Sequence, residues 1–386
     1  MMHSTFDVAI VGGGPGGSAT ALSLQAHAPS LSVILIESSH YESLRIGETL
    51  PPPARPVLEH LRVWDAFRAQ RHKEVYGTTA AWGCVAPLDN DFIFMPANTG
   101  WHLDRAAFDC MLASEAQRQG ATLILDTRVR DAKHTGNEWC LTLSTGDSLA
   151  ARFMVDATGG SAALARSCGA GFVQADELVG IAGFFELGNG DPRTLVEAFE
   201  DGWWYTAGLP DGRRIIACMT DADLARRMGL HDAEEWSRKL AVMPIVGAVA
   251  GRRKLCSPLM ARSAASRRLD PVAGANWLAA GDSASRFDPL SSQGIVKALR
   301  SGIFASYAIG DLLTRDDNSG LDRYQRYVFE EFKGYVEVRT KYYNEEQRWP
   351  QSEFWRRRHA TIDHPLSETG SKARNFEASA AVQNEA

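Results

Sequence analysis

Residues Thr5–Val11 form a strand-sized, largely apolar run that passes directly into Gly12-Gly13-Gly14-Pro15-Gly16-Gly17. Ala19, Ala21, Leu22 and Leu24 follow at helical spacing, and a second apolar run, Leu31–Ile36, ends on Glu37. Strand, glycine turn, helix and strand in this order restrict the fold more tightly than any other feature of the chain. Gly12 allows the tight turn, Gly14 lets a pyrophosphate approach the backbone, and Gly17 lets helix and strand touch. Pro15, inside the same turn, is a candidate cofactor contact, and Pro51, Pro52 and Pro53 stand at the start of a later helix, where a missing N–H costs little. The start of the first helix offers free N–H groups and a partial positive charge to phosphates. Glu37 is placed to accept hydrogen bonds from a ribose. The pattern predicts a Rossmann-type unit that binds a dinucleotide, and it does not separate nicotinamide from flavin.

The 386 residues are enough for two or three domains, and the sequence reads as α/β throughout. From Val75 to His102 the pattern shifts to alternation and turns, helical spacing returns over Asp104–Gln119, and Gly120 stands in the C-cap role. The expected division places residues 1–74, 103–174 and 270–315 in a discontinuous dinucleotide-binding domain. Residues 75–102 and 175–269 form an antiparallel-sheet substrate domain, 316–365 form C-terminal helices, and the polar stretch 366–386 is expected to be a disordered tail. A net charge of −6 gives no reason to expect a nucleic-acid partner. Two basic clusters (Arg252, Arg253, Lys254, Arg262, Arg267 and Arg268; then Arg356, Arg357 and Arg358) read as solvated surface, with docking of an acidic partner as the alternative. Six scattered cysteines show no metal-ligand spacing, so no metal is expected and a reducing compartment is. No run approaches the roughly 20 apolar residues of a membrane helix, and the expected location is cytoplasmic.

Flavin is separated from nicotinamide late in the chain. Gly281-Asp282 ends the apolar run Asn276–Ala280 and precedes residues 287–294, Phe-Asp-Pro-Leu-Ser-Ser-Gln-Gly, which open a long helix. Together with the N-terminal glycine turn and Val155-Asp156-Ala157-Thr158-Gly159, this segment resembles the aromatic-hydroxylase superfamily of FAD-dependent monooxygenases, which includes flavin-dependent halogenases. The resemblance implies FAD as cofactor, with Asp282 holding the ribityl chain and Pro289, Gln293 and Gly294 passing beside the flavin ring. It also implies Arg105 near the pyrophosphate, and the loop containing Arg45 and Glu48 flanking the flavin. Only one dinucleotide fingerprint is present, so electrons are expected from transiently bound NAD(P)H or from a separate flavin reductase. In this superfamily reduced flavin and oxygen form an electrophilic hydroperoxide, and the protein positions the substrate and excludes water.

Four residues are candidate catalytic groups: Asp288 and His102 as acid or base, Tyr205 as a donor that orients substrate, and Ser292 as a donor near the reacting oxygen. Trp101, Trp203 and Trp204 are candidate substrate contacts. On a strand, Trp203 and Tyr205 share one face and Trp204 takes the other, so the three cannot all line one pocket. The tryptophan-halogenase pattern carries a Trp-x-Trp-x-Ile-Pro motif, a catalytic lysine on a strand and Glu-Ser-Thr in the late loop. This chain has Tyr205–Pro210, no lysine from Val75 to Trp82, and Ser291-Ser292-Gln293 in those places, which favours hydroxylation over halogenation. Residues 45–61, 100–109, 197–213, 288–302 and 348–358 are similar to a narrower group, the flavoproteins that modify a tryptophan during tryptophylquinone maturation of quinohaemoprotein amine dehydrogenase and of lysine and glycine oxidases. That resemblance implies a partner protein or peptide carrying the tryptophan to be oxygenated. The alternatives are a hydroxylase of a small or carrier-bound aromatic, and a flavin-binding maturation partner without turnover.

Overall fold

The strand Ser4–Val11 lies inside an eight-stranded sheet in the computed structural model, which describes residues 4–95, 97–186, 188, 191–251 and 253–359. Val33–Ile36 flanks it on one side and Ser148–Asp156 on the other, both parallel. A parallel strand in this position is covered on both faces, so Val8, Ala9 and Ile10 are fully buried and the run carries little alternation. Trp277–Ala279 pairs parallel with Ser148–Asp156, and Thr122–Ile124 with Val33–Ile36. The helices Pro15–His27 and Gly294–Arg315 cross at glycine: a side chain at Gly302 would collide with the Gly16 carbonyl and Ala19. That close crossing brings the first glycine turn and the late segment together.

The second layer is a seven-stranded sheet in the order Met260–Ser263, Leu178–Glu186, Arg213–Asp221, Gly202–Gly208, Thr194–Phe199, Gly77–Ala81 and Leu88–Asp91. It is antiparallel except where Gly77–Ala81 joins Thr194–Phe199 in parallel. Strand alternation gives it two different faces. On one face Ile181, Trp204, Ile216 and Cys218 pack against Leu230, in a turn, and against Trp236 and Leu240 of the helix Ala233–Ala241. The other face turns toward the first sheet. The stretch 75–102 is divided: Lys73–Val75 and Gly100–His102 pair in a small sheet with Thr49–Leu50 rather than entering the seven-stranded one. Phe92–Phe94, strand-like in sequence, forms a short 3-10 turn in which Phe92 is buried and Ile93 exposed.

The C-terminal region is helical, with Ser319–Glu345 followed by Glu353–His359. In the second cluster of arginines Arg356 and Arg357 are exposed, as expected, and Arg358 is not. Arg358 is buried and meets Asp221 at 2.7 Å, and Arg357 meets Asp221 at 2.9 Å and Asp223 at 2.8 Å. These pairs fasten the last helix to the seven-stranded sheet. Arg252 and the expected tail, 366–386, lie outside the described residues. None of the described helices is long and apolar enough to cross a membrane.

Candidate active site

A cavity of about 800 Å³ lies between the two sheets, and residues far apart in sequence line it in three zones. At one end stand Gly12, Gly14, Pro15, Glu37, Arg45, Arg105 and Asp109. Gly12 has φ +112°, and a side chain there would strike the Ala157 carbonyl; a side chain at Gly17 would strike the Gly12 carbonyl. Gly14 differs, because a Cβ there meets nothing within 4 Å and would enter the cavity. Gly17 therefore serves packing and does not line the cavity. Glu37 accepts from the Gly13 N–H at 2.8 Å and from the Ser39 hydroxyl at 2.6 Å. Asp109, almost fully buried, bridges two guanidiniums, with Arg45 at 2.7 Å and Arg105 at 3.2 Å. Asp104 caps the helix Arg105–Arg118 by accepting from the Ala107 N–H, which holds Arg105 at the first turn. From there Arg105 donates to the carbonyls of Ile46 and Gly47 and fixes the loop before Glu48.

The middle zone is made by Gly281, Asp282, Pro289, Leu290, Ser292, Gly294 and Ile295. The Asp282 side chain is 43% exposed, and it opens into the cavity while Lys297 holds it at 2.9 Å. Burial raises its carboxyl, but Lys297, with help from Arg286 and Arg105, outweighs that and keeps it below the usual range. Lys297 is itself buried and also donates to the Ser285 carbonyl. Ser292 has φ +51° and lines the cavity. Two expected residues of this segment turn away from it. Gln293 is exposed and lines a separate groove against the Ser319–Glu345 helix. Asp288 lies beneath the loop, where it accepts from the Leu290 N–H at 2.9 Å and the Tyr343 hydroxyl at 2.7 Å, with Arg339 at 3.5 Å. Its carboxylate holds the turn in place and does not reach the cavity as a base. Tyr343 also accepts from the Trp203 indole N–H at 3.0 Å, which ties the loop to the far wall.

That far wall is one face of the seven-stranded sheet: Gly180, Ala182, Thr194, Val196, Trp203, Tyr205, Ala217 and Met219. Register explains the set, since Tyr205 sits beside Ala217, which pairs with Ala182, and Trp203 beside Met219, which pairs with Gly180. Ala217 and Ala182 are small along the row of Tyr205, whereas along the row of Trp203 the Met219 side chain lies over Gly180. Trp204 takes the opposite face, where its ring meets Trp236 at 5.1 Å, so it does not contact the cavity. Trp101 is also elsewhere, packed edge-on against Trp64 and Phe67. His102 is fully buried between the Gly208 carbonyl and the Thr194 hydroxyl, both at 2.8 Å. A carbonyl only accepts, so Nδ1 carries the proton and Nε2 accepts from Thr194. Burial, reinforced by Lys73 and Arg214, holds its imidazole at about 3. His102 is therefore neutral and reaches the cavity only by orienting Thr194. Tyr205 donates instead to Glu48, a buried carboxyl that burial pushes above its usual range.

The residues present fit FAD. Gly14 and the helix start form an open cradle for a diphosphate, with Arg45 and Arg105 beside it and Glu37 within the same zone. Asp282 presents a charged acceptor to a hydroxylated chain, and the loop around Pro289–Gly294 flanks the space beyond. Sequence reasoning did not find Lys297, Asp109 or Tyr343. Lys297 had a signal, because a lysine on the apolar stripe Ile295–Leu299 needs a carboxylate partner. Among the described residues no lysine lines the cavity, and no group of three or more histidine, cysteine or acidic residues is arranged to hold a metal.

Comparison with known proteins agrees with this geometry. The tryptophan halogenase family model matches residues 7–84 and 80–386. A putative FAD-dependent oxidoreductase, LodB, of Marinomonas mediterranea is 30% identical over 364 residues, which span 92% of this chain and 97% of that protein. Among solved structures, the flavin-dependent halogenase CmlS superposes with a TM-score of 0.82 at 26% identity, covering 94% of this chain and 68% of that one. The peptidyl tryptophan dihydroxylase QhpG, described as essential for tryptophylquinone cofactor biogenesis, superposes with a TM-score of 0.77 at 26% identity, covering 92% and 79%.

Proposed function

The chain belongs to the tryptophan halogenase family of FAD-dependent oxidoreductases, and we propose that within it this protein is a monooxygenase that hydroxylates the indole of a tryptophan carried on a partner polypeptide. The observation that carries the reading is the far wall: Trp203 and Tyr205 line it together with Ala182, Ala217 and Met219, and among the described residues no lysine lines the cavity. An indole fits flat against such aromatic walls. It is electron-rich, so it needs no deprotonation before attack, which agrees with Asp288 and His102 being withdrawn from the cavity. When bound, reduced FAD supplies the electrophilic oxygen atom taken from O2.

The chain's own groups bind, orient and shield. The glycine turn and the start of the Pro15–His27 helix would hold the diphosphate, Glu37 the adenosine ribose and Asp282 the ribityl hydroxyls. Trp203, Tyr205 and Met219 would fix the indole plane and exclude water. Tyr205 stays protonated, because burial and the Glu48 carboxyl push its hydroxyl well above 10. It therefore keeps Glu48 satisfied while facing substrate. Electrons come from NAD(P)H at the flavin or from a separate flavin reductase.

Halogenation is the second reading, favoured by the likeness to CmlS. The test separates the two. FAD-loaded protein, NAD(P)H with and without a flavin reductase, oxygen and chloride are incubated with a tryptophan-containing peptide, and the product is weighed by mass spectrometry. The expected result is a peptide heavier by one or two oxygen atoms. A chlorine isotope pattern would overturn the proposal in favour of halogenation, and no mass change on any aromatic offered would favour a flavin-binding accessory role.

A further inference from the structure

Arg45, Arg105, Arg339, Arg357 and Arg358 each meet a carboxylate. Four arginines gathered at one side of the cavity do not, among the described residues. Arg262 and Arg286 line the cavity. Arg286 donates to the Ala265 carbonyl at 3.0 Å and to the Ser263 hydroxyl at 2.8 Å, both neutral groups. Gly160 lies between two guanidiniums: Arg267 donates to its carbonyl, and a side chain there would meet Arg286. Arg267 stacks on Phe172 at 3.7 Å, and Arg166 approaches the same ring at 5.9 Å. The acids whose fields reach Arg267 and Arg286 are Asp282 and Asp176. Both are already engaged, with Lys297 and Arg339, each at 2.9 Å. Burial and the neighbouring Arg286 and Arg166 hold Arg267 down to about 10, as expected of cations crowded without counter-charge.

An open strand borders the same side. Met260–Ser263 is the outermost strand of the seven-stranded sheet and pairs only with Leu178–Glu186 among the described residues. Ala261, Arg262 and Ser263 are exposed. Arg262 is in register with Gly180, so it projects to the face that carries Trp203 and Tyr205. A free edge offers backbone hydrogen bonds to any extended chain. A small free aromatic would use neither this edge nor four uncompensated positive charges.

We propose that this rim is a docking rail for an extended acidic segment of the substrate polypeptide, which adds to the open edge of Met260–Ser263 and sets its carboxylates against Arg166, Arg262, Arg267 and Arg286. The identity of the side chain delivered into the cavity rests on the hydroxylation reading above; the rail itself does not. The chain as a whole is acidic, at −6, so the attraction is local and short-ranged and weakens with salt.

The test measures binding apart from turnover. FAD-loaded full-length protein is titrated with three labelled peptides that share a central tryptophan: one flanked by aspartates, one by asparagines, and one by aspartates with N-methylated backbone amides. The aspartate peptide is expected to bind about tenfold more tightly than the asparagine peptide at low salt. That advantage falls as salt rises, N-methylation weakens binding, and the double substitution Arg166→Gln and Arg267→Gln removes most of the charge preference while flavin stays bound. Arg166 is exposed, so Arg166→Gln alone keeps the test open if the double variant misfolds. Equal binding of the aspartate and asparagine peptides, or a preference untouched by the substitutions, overturns the proposal. A charge-dependent complex whose peptide gains no oxygen leaves the rail standing and removes the hydroxylation reading instead.

Discussion

Gly12 and Gly14 stand two residues apart in one turn, and substitution fails them for different reasons. Gly12 sits at φ +112° against the Ala157 carbonyl, so any side chain there breaks the turn itself. Gly14 has φ −75° and empty space before it, so Gly14→Ala should leave folding stability within about 0.5 kcal/mol while FAD affinity falls about tenfold or more, through overpacking of a bound diphosphate. Fluorescence titration with FAD beside urea unfolding checks this, and unchanged affinity would remove Gly14 from the site. Tyr205 makes a second residue-scale case. Tyr205→Phe deprives buried Glu48 of a hydrogen bond and should cost about 1–2 kcal/mol. Glu48 already titrates above its unfolded value, so its favourable contribution is present at acid pH and is lost as pH rises through the folded pKa. Removing the hydroxyl raises that pKa further, so the stability deficit of the variant should widen from acid to neutral pH. A deficit independent of pH would mean the pair does not couple. The alternation of Trp203, Trp204 and Tyr205 was legible because strand geometry permits only two faces. Which face met the cavity was not legible, because it depends on helices packed behind the sheet from other parts of the chain.

The last helix, Glu353–His359, shows how one element can hold another through charge. Asp221 ends a strand of the seven-stranded sheet and Arg358 lies on the helix, and both are almost fully buried. Arg357 stays beside Asp221 at 2.9 Å when Arg358 is removed, so Arg358→Ala should destabilise by about 1.5–3 kcal/mol, less than a fully orphaned buried charge would. Burial raises the Asp221 carboxyl, but Arg358 and Arg357 outweigh it and keep it below 3.8. Its contribution is therefore complete above the unfolded value and is lost as pH falls through the depressed folded value. In Arg358→Ala that acid-limb dependence should shrink, which thermal melts between pH 2 and 5, roughly the span over which such a carboxylate titrates, would reveal. Arg358 looked like surface, as Arg356 and Arg357 are, because nothing local distinguishes a solvated cation from one that meets a distant aspartate. Asp288 misled in the same way: its position in the late loop invited a catalytic role, yet Tyr343 and Arg339, on a helix that follows, turn it into a support for the loop.

Across the whole molecule, the cavity draws its lining from both sheets and from both ends of the chain, so a bound flavin would act as a clasp. Saturating FAD, at a hundred times its dissociation constant, should stabilise by about 2.7 kcal/mol and raise the melting temperature. ADP at the same concentration should do less, because it reaches only the zone of Gly14, Glu37 and Arg105. Equal shifts from ADP and FAD would mean that the Asp282–Gly294 zone contributes nothing to binding.

The residues alone determined the first βαβ unit, because glycine spacing and apolar runs act within one turn of the chain and need no partner from elsewhere. They also determined the two-layer α/β character and the pairing of the early glycine turn with the late Gly281-Asp282 segment, through their likeness to a family. Only the tertiary structure decided which charged groups face the cavity and which are neutralised behind it. Asp282 remains open while Asp288, His102 and Gln293 turn away, and Arg262 and Arg286 line the cavity while Arg358 is paired with Asp221. The physical reason is range. A backbone turn is set by neighbours a few residues away, whereas the state of a buried charge is set by whichever opposite charge the fold brings within a few ångströms.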